Sequence, residues 1–378
     1  MNFVRRLSTK TTASLDASKL KLNLTSSPKA LPPADKLVFG KTFSNHMLIV
    51  DWTAEAGWGI PEIKPYGPFS MDPSSCVLHY AFECFEGQKA FRDASGNIRL
   101  FRPEKNMERL NKSADRICLP TFDIEQGVKL IEEFVKVEKD FVPQEKGYSL
   151  YLRPSIIGTQ NSLGVSPPNS ARLFVIASPV GPYYATGFKA VRLEATDSAV
   201  RAWPGGVGNR KLGANYAPCV KPQLDAAKRG FQQNLWLFEG YLTEVGTMNL
   251  FLVFQNADGK KELTTAPLDG TILEGITRLS ILELARERLD PKEWDVTERK
   301  VHINEVMERA KKGELIEMFG AGTAAVVSPV KELNYHGEAI EVPLPKGKEA
   351  GPVTETVSKW ISDIQYGIDD HPFCKVIA

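Results

Sequence analysis

The sequence of 378 residues lacks several features that define whole classes of protein. It has no run of about twenty apolar residues, so it predicts no membrane-spanning helix. Its 47 basic and 46 acidic residues leave a net charge of +1, which favours neither nucleic acid nor an acidic membrane as a partner. The five histidines are too scattered for a metal site, and we expect His46 and His79 to pack and to form hydrogen bonds.

Paired cysteines are also absent. Five cysteines are an odd number, and they show no close pairing in the sequence. This pattern is typical of a reduced compartment and not of a disulfide framework. We therefore expect free thiols at Cys76, Cys84, Cys118, Cys219 and Cys374.

Residues 1–15 have the composition of a targeting segment. They include Arg5, Arg6 and Lys10, five serines or threonines and no acidic residue. This composition predicts a mitochondrial transit peptide that is removed, and hence a location in the mitochondrial matrix. A disordered tail on a cytoplasmic protein is the alternative, because short tails can have the same composition. Residues 16–36, with prolines at 28, 32 and 33, are predicted to form an irregular N-terminal arm.

The length of the chain suggests two domains. Residues 37–180 alternate between strand and helix patterns without a strict βαβ rhythm, which predicts a small α+β domain. Residues 181–191 have the composition of a linker, and residues 192–378 are predicted to form a large cofactor-binding domain. Strands are predicted at 77–82, 98–101, 150–157, 173–177, 190–193, 235–238 and 250–254, and helices from Pro103 and at 124–141, 222–229, 278–289 and 353–364.

The segment of residues 203–218 places Lys211 and Tyr216 among four glycines and two prolines. Glycine allows the backbone to approach a ligand closely, which ordinary surface loops rarely need. A lysine held near apolar residues and other cations can release its proton and condense with an aldehyde. We therefore predict that Lys211 bonds to the aldehyde of pyridoxal phosphate. A solvated loop lysine is the alternative, and three other segments weigh against it.

Each of these three segments offers a group that the cofactor needs. Glu244 lies between two apolar runs, where it could meet a buried cation such as a protonated pyridine nitrogen. Ile276 and Thr277 stand at the start of a helical pattern, where free N–H groups and a hydroxyl suit a phosphate. Thr323 supplies a hydroxyl in a turn of small residues at 319–325. Taken singly, these are also consistent with a hairpin corner, a Thr-capped helix and a plain turn.

Together the segments closely resemble those of the branched-chain amino acid aminotransferases, which are pyridoxal-phosphate enzymes of fold type IV. The resemblance spans residues 37–367, and several motifs in the right order make it more specific than any single glycine-rich loop. It implies a two-domain α+β fold, like that of D-amino acid aminotransferase, with the active site between the domains. Besides the segments above, the motifs are Leu-Val-Phe-Gly at 37–40, Phe-Glu-Gly-Gln-Lys-Ala-Phe at 85–91, Phe-Arg-Pro at 101–103, Asn-Met-Glu-Arg at 106–109 and Tyr-Leu-Arg-Pro at 151–154.

The resemblance also implies roles for individual residues. Lys211 matches the catalytic lysine, which bonds to the cofactor and then moves a proton as general base and acid. Tyr216 matches the partner of the cofactor's phenolic oxygen, and Glu244 matches the partner of the ring nitrogen. Arg109, which otherwise reads as a helix-surface arginine, matches the arginine that binds the phosphate. Ile276, Thr277 and Thr323 complete the predicted phosphate site.

The substrate pocket must accept an aliphatic side chain in one half-reaction and the carboxylate of glutamate in the other. An aromatic wall suits the first, and tyrosine hydroxyls with an arginine at the edge suit the second. The loop at 158–168 would reach the neighbouring subunit, which implies a homodimer. The matching residues are Phe39, Tyr80, Phe85, Tyr151, Tyr183 and Thr247, with Arg153 at the edge, Ala324 and Thr323 at the α-carboxylate, and Leu163 and Val165 from the other subunit.

The implied reaction is transamination of leucine, isoleucine or valine with 2-oxoglutarate. Within the same fold, a D-amino acid transaminase or an aminodeoxychorismate lyase is the alternative, and the aromatic pocket and Arg153 argue against both. A non-catalytic binding protein that keeps the fold would have lost Lys211, which is present. Some animal members carry a Cys-x-x-Cys pair where this chain has Ala325 and Ser328, so thiol regulation of that kind is excluded.

Overall fold

The computed structural model describes residues 12–181 and 189–378 and divides them between two large β-sheets. Short segments of 3₁₀ helix occur at Ala17–Lys19, Ala34–Lys36, Lys139–Phe141 and Gly213–Asn215. The first half of the chain contributes nine strands: β1 (Lys21–Leu22), β2 (His46–Thr53), β3 (Gly57–Trp58), β4 (Glu62–Pro65), β5 (Glu83–Phe85), β6 (Gln88–Arg92), β7 (Ile98–Phe101), β8 (Ser149–Gly158) and β9 (Ser170–Val180).

Three helices accompany these strands: α1 (Val77–Tyr80), α2 (Pro103–Arg116) and α3 (Ile124–Val137). Pro103 begins α2, where its missing N–H costs nothing, and the Asp123 side chain caps α3 by accepting from Gln126 N. Met107 and Leu110 lie on the buried face of α2 and pack with Phe134 of α3 into the core of the first domain. The helices predicted from Pro103 and from residue 124 are therefore confirmed.

The second half of the chain forms the other sheet. Its strands are β10 (Val191–Thr196), β11 (Gln233–Phe238), β12 (Tyr241–Val245), β13 (Met248–Gln255), β14 (Lys261–Thr265), β15 (Trp294–Glu298), β16 (Leu315–Gly322), β17 (Val326–Tyr335) and β18 (Glu338–Glu341). The order β12-β11-β10-β17-β16-β13 closes on itself, because β12 also pairs with β13. The helices are α4 (Ala217–Lys228), α5 (Ile276–Arg288), α6 (Ile303–Lys311) and α7 (Pro352–Gln365).

The last strand, β19 (Cys374–Val376), returns to the first sheet, where it pairs antiparallel with β7. The C-terminus therefore departs from the range 192–378 that the sequence assigned to the second domain. Side chains also join the two units: Arg102 Nη1 at the start of α2 lies 2.6 Å from Glu283 Oε2 on α5. The pairing of β19 with β7 and this ion pair connect the two units on either side of the cleft.

The prediction of a strand at residues 77–82 is wrong. Residues Val77–Tyr80 form the single helical turn α1, which ends at Ala81 in the left-handed region with φ 52°. The apolar run suggests a strand, yet Leu78 and Tyr80 are exposed. A short apolar run cannot be assigned to strand or helix by periodicity alone.

The N-terminal arm is more ordered than its composition suggested. Strand β1 pairs in parallel with β4, and His46 is buried between Glu138 and the backbone N–H of Thr25. Within the range predicted as a transit peptide, Ala13 accepts a hydrogen bond from Trp58 N at 2.8 Å, and Leu15 is 1% exposed in the core of the first domain. The predicted packing role of His46 is confirmed.

All five cysteines are free thiols, as expected. No helix in the described part of the chain is long and apolar enough to cross a membrane.

We predict that Leu15→Ala lowers the free energy of unfolding of the first domain by about 2–5 kcal/mol, because it removes a fully buried side chain and leaves a cavity. Urea unfolding followed by tryptophan fluorescence measures the change. Leu24→Ala is the control, since Leu24 is 50% exposed in the same arm and its loss should change stability by less than about 0.5 kcal/mol. Equal effects of the two substitutions would contradict the burial of Leu15.

Candidate active site

A cavity of about 340 Å³ opens between the two sheets, and most of the residues predicted for the site line it. The first domain supplies one wall and the closed ring of strands, with the start of α5, supplies the other. The predicted residues on its walls are Phe39, Phe85, Arg109, Tyr151, Arg153, Lys211, Tyr216, Glu244, Thr247, Ile276, Thr277, Thr323 and Ala324.

Lys211 is held in the cavity by its backbone as well as by its side chain. Its N–H donates to Ser113 Oγ at 2.9 Å, and its carbonyl accepts from Phe85 N at 3.0 Å. The next residue, Leu212, is buried in the core of the first domain. The Lys211 amine donates to the Tyr216 hydroxyl at 2.9 Å. Lys211 follows the linker in the sequence, yet its backbone is fixed against the first domain. Its amine points into the cleft.

Lys89 is buried, whereas Lys211 is half-buried, and the two lysines can be compared. Burial lowers the pKa of Lys89 to about 8, and its amine donates to Ala324 O at 2.8 Å. Lys89 does not line the cavity that contains Arg109, Tyr216 and Glu244, whereas Lys211 does. Position among these groups therefore identifies Lys211 as the lysine of the site.

Arg109 is anchored by a carboxylate that the sequence analysis did not assign to the site. Its Nε and Nη2 donate to the two oxygens of Glu86 at 2.7 and 2.9 Å. Its Nη1 donates to Glu274 O at 3.0 Å, across the cleft. Glu86 is fully buried and also accepts from Asn106 Nδ2 at 2.8 Å. Arg109 is therefore a pre-positioned cation whose planar fork is fixed by Glu86.

The N-terminus of α5 faces the same part of the cavity. Gly275 is the N-cap residue and no side chain caps this helix. A Cβ at Gly275 would lie 1.9 Å from Asn249 Oδ1, so a larger residue would displace the Asn249 amide, which donates to Glu244 and to Leu273 O. Ile276 and Thr277 line the cavity at the positive end of the helix dipole, opposite Arg109. This arrangement suits an anion such as a phosphate.

Glu244 lies at the other end of the cavity and is 2% exposed. Its Oε1 accepts from Leu273 N at 2.6 Å and from Asn249 Nδ2 at 3.1 Å, and its Oε2 lies 2.8 Å from Arg201 Nη2. Burial raises the pKa of the Glu244 carboxyl, and the charge of Arg201 opposes that rise. Arg201 and Asn249 thus complete a carboxylate site that the sequence had indicated only through Glu244.

Aromatic rings and one arginine form the remaining wall. Phe39 and Tyr151 meet edge to face at 4.9 Å between ring centroids. Arg153 lies over the Phe85 ring at 4.6 Å and donates from Nη2 to the Tyr151 hydroxyl at 3.0 Å. Its Nε is buried and has no hydrogen-bond partner among the described residues. A buried N–H without a partner is unfavourable, so it is a ready donor for a bound carboxylate.

Among the described residues, three of those predicted for the substrate do not line this cavity. Tyr80 donates from its hydroxyl to Leu163 O at 2.5 Å, on the surface of the chain. Leu163 and Val165 are 62% and 76% exposed. Tyr183 lies outside the described residues. Tyr80 is therefore absent from the wall of this cavity, and its hydroxyl binds the loop that contains Leu163 and Val165 instead.

Sequence reasoning also missed several residues that form or support the site. Glu86 and Lys89 lay inside a quoted motif, and their burial could have been suspected from the apolar residues around them. Arg201 and Ser113 carried no signal in the sequence. An arginine that pairs with a buried carboxylate cannot be told from a surface arginine, and a serine that contacts the site cannot be told from any other serine in a helix. The other missed wall residues are Gly87, Asn249, Leu273, Gly275, Ala321 and Gly322.

Comparison with known proteins agrees with this geometry. A family model described as amino-transferase class IV matches residues 83–333. The mitochondrial branched-chain-amino-acid aminotransferase of Saccharomyces cerevisiae is 62% identical over 360 residues, which cover 94% of this chain and 92% of that protein. The cytosolic enzyme of the same yeast is 61% identical and covers 96% of this chain and 97% of its own length. The chain therefore belongs to the class IV aminotransferases.

A solved structure shows the same fold. The branched-chain amino acid aminotransferase of Escherichia coli superimposes with a TM-score of 0.69 at 26% identity. The match covers 87% of this chain and 99% of that one. The predicted two-domain fold of type IV is thereby confirmed.

Removing the anchor of Arg109 should weaken cofactor binding. We predict that Glu86→Gln raises the dissociation constant of pyridoxal phosphate at least tenfold, because breaking a buried ion pair costs about 3–5 kcal/mol and leaves Arg109 free to turn away. Titration of the apoenzyme with cofactor measures this constant. Glu108→Gln is the control, since Glu108 pairs with Lys105 at the surface and should bind cofactor normally. Unchanged affinity in Glu86→Gln would contradict the role given to this pair.

Arg201 should matter through Glu244. We predict that Arg201→Met lowers cofactor affinity at least tenfold, because the pKa of Glu244 rises further without the guanidinium and the carboxyl loses its charge. Arg201→Lys should recover part of the affinity. Arg192→Met, which removes a half-exposed partner of Glu332, serves as the control. If all three variants bind cofactor like the native protein, Glu244 does not depend on Arg201.

Proposed function

We propose that this protein is a branched-chain amino acid aminotransferase, which transfers the amino group of leucine, isoleucine or valine to 2-oxoglutarate. The observation that carries the proposal is the position of the Lys211 amine, 2.9 Å from the Tyr216 hydroxyl in a cleft that also contains Arg109 and Glu244. The high identity to the two yeast enzymes over nearly the whole chain supports the same reaction.

The cofactor is pyridoxal phosphate, and the groups in the cleft fit its parts. Arg109, the first N–H groups of α5 and the hydroxyls of Thr277 and Thr323 would hold the phosphate. Glu244 would accept a hydrogen bond from the protonated ring nitrogen, and Tyr216 would meet the phenolic oxygen. When bound, the cofactor supplies an electron sink for the charge that develops as the amino acid loses its Cα proton.

The protein's own residues then control the proton. Lys211 Nζ is the base that takes the proton from the amino-acid Cα and the acid that returns it to a neighbouring carbon. Ser113 and the backbone of Phe85 keep the main chain of Lys211 in place, so only its flexible side chain has to move. The Tyr216 hydroxyl accepts a hydrogen bond from the Lys211 amine and so holds that amine in the cleft.

The wall of the pocket explains how one site can take two kinds of side chain. Phe39, Phe85 and Tyr151 offer apolar surface to a branched aliphatic group. The free Nε of Arg153 offers a charged donor at the edge of the same surface, which a glutamate or 2-oxoglutarate side chain would satisfy. The α-carboxylate would bind at Thr247 and the backbone of Thr323 and Ala324.

A homodimer would complete the pocket. Tyr80, Leu163 and Val165 are exposed together on one surface, and the Tyr80 hydroxyl ties them into one unit. In a homodimer this unit would enter the cleft of the neighbouring subunit and close its mouth. The same arrangement accounts for exposed apolar side chains that a monomer would leave in water.

We also propose a mitochondrial location, for which the basic and acid-free composition of residues 1–11 is the support. Because Ala13 and Leu15 are built into the first domain, removal of a leader would have to end before Ala13. The transit peptide that we propose is therefore shorter than the predicted residues 1–15. N-terminal sequencing of the protein isolated from mitochondria and from cytosol tests both points. A full-length N-terminus found only in the cytosol would contradict them.

The visible absorption spectrum tests the function as a whole. We expect an absorption band of the lysine-bound cofactor that bleaches with L-leucine, does not bleach with D-alanine, and returns when 2-oxoglutarate is added. Bleaching by D-alanine alone would keep the fold and contradict the proposed substrate. If the protein is colourless and added pyridoxal phosphate produces no absorption band, the proposal that it is an enzyme of this class is contradicted.

Arg153 should separate the two half-reactions. We predict that Arg153→Met raises the KM for 2-oxoglutarate about 10-fold to 100-fold, because a hydrogen bond to a charged group contributes about 1.5–3 kcal/mol, and leaves the KM for L-leucine within about threefold. Steady-state kinetics with each substrate varied in turn measures both constants. A parallel rise of the two KM values would show that Arg153 supports the pocket without selecting the acidic side chain.

A further inference from the structure

A second cavity lies behind the turn that connects β16 to β17. It has a volume of about 240 Å³, and the described residues on its walls include two lysines and no acidic residue. Ala324, in the turn, lines both this cavity and the active site. The two cavities are therefore separated by the turn, and the rear cavity is not part of the site already described.

Lys89 is the central charged group of the rear cavity. It is 8% exposed and its amine has one hydrogen bond among the described residues, to Ala324 O, although an ammonium group has three donors. None of the carboxylates in the described part of the chain forms an ion pair with it. A buried ammonium without a counter-charge is unfavourable, so an anion that reaches it is strongly favoured.

Two further polar side chains on the walls form no hydrogen bond among the described residues. Gln365 is 8% exposed and its amide forms no side-chain hydrogen bond within the described residues. Ser328 is 2% exposed and its Oγ has no partner there either. Each can donate a hydrogen bond. Buried polar groups in native proteins are normally paired, so this cluster of unpaired donors points to a ligand that accepts.

Much of the rest of the lining is apolar, although Ser149, Ser358 and Ser362 also line the cavity. Phe91, Val327 and Pro329 line the cavity together with the ring of Tyr366, while Lys189 adds a second positive charge. A fully polar anion such as phosphate would leave these apolar surfaces unused. An aliphatic chain that ends in a carboxylate would satisfy the donors at one end and the apolar walls at the other.

We propose that the rear cavity binds a small aliphatic carboxylate, whose oxygens accept from Lys89, Gln365 and Ser328. The site is distinct from the substrate site, and its occupant contacts the active-site turn through the hydrogen bond of Lys89 to Ala324. The inference depends on the geometry of the rear cavity and not on the identity of the amino-acid substrate.

The test must keep the carboxylate out of the active site. For this purpose the cleft of the protein is filled with N-(5′-phosphopyridoxyl)-L-leucine, and binding of 4-methylpentanoate is measured by calorimetry. We expect one site per chain in this form, with at least tenfold weaker binding of inorganic phosphate. Absence of any binding at 4-methylpentanoate concentrations up to about 10 mM, at which a site with a millimolar dissociation constant would be nearly filled, would overturn the proposal. Phosphate that binds as tightly as 4-methylpentanoate would overturn the assignment of an aliphatic ligand.

Two variants locate the site. Gln365→Met keeps the size of the side chain and removes its donors, and Ser362→Leu reduces the free volume from the facing side of α7, where Ser362 lines the cavity. Each should weaken 4-methylpentanoate binding at least fivefold. Gln223→Met on α4 is the control, since Gln223 does not line the cavity and its amide donates to Gln232 O, and this variant should bind like the native protein. Native affinity in both cavity variants would place the ligand elsewhere and overturn the proposal.

Failure of this site can be distinguished from failure of the proposed function. If N-(5′-phosphopyridoxyl)-L-leucine does not bind, the proposed function fails before the rear cavity is tested. In that case the titration is repeated on the protein alone, where loss of 4-methylpentanoate binding in Gln365→Met and Ser362→Leu, but not in Gln223→Met, still supports the rear site. Equal binding by all of these proteins overturns it.

Discussion

The docking of Lys211 on the first domain is the constraint on which the active site depends. The loop that carries Lys211 follows β10, so it belongs by sequence to the second half of the chain. Its backbone is nevertheless hydrogen-bonded to Ser113 and Phe85, and Leu212 is buried in the first core. Because the groups suited to a phosphate and to a ring nitrogen come largely from the second half, the lysine can meet them only if the two sheets keep their relative position.

Buried charges complete this arrangement. Glu86 fixes the orientation of the Arg109 guanidinium. Arg201 and Asn249 do the same for the Glu244 carboxylate. Burying such groups costs free energy, which the paired charges and hydrogen bonds offset only when the geometry is good. Arg109 and the N-terminus of α5 line the same cavity as the Glu244 carboxylate, which suits the proposed binding of a phosphate and a ring nitrogen. Lys89 is the exception, since it is buried without a carboxylate partner in the described part of the chain.

The sequence predicted the residues that line the active site better than the residues that hold them in position. The sequence alone predicted Lys211, Tyr216, Glu244 and Arg109, because each lies in a motif and the motifs occur in the expected order. The structure brings all four to one cavity. Ser113 and Arg201 could not be predicted, because their roles depend on contacts between distant segments. Ser113 binds Lys211 N, 98 residues away, and Arg201 pairs with Glu244, 43 residues away. Tyr80 was assigned to the cleft because a motif gives the residue but not its contacts, and in the structure its hydroxyl binds Leu163 O at the surface. The segment at 77–82 was misread because four residues of one helical turn carry no period that separates them from a strand.

The most direct test of the account is to find which lysine bonds to the cofactor. The protein with bound pyridoxal phosphate is reduced with borohydride, digested and mapped by mass spectrometry. The account predicts the phosphopyridoxyl group on the peptide that contains Lys211, and none on the peptide that contains Lys89. Labelling of Lys89, whose pKa burial lowers to about 8, would contradict the assignment of Lys211 and the position of the active site.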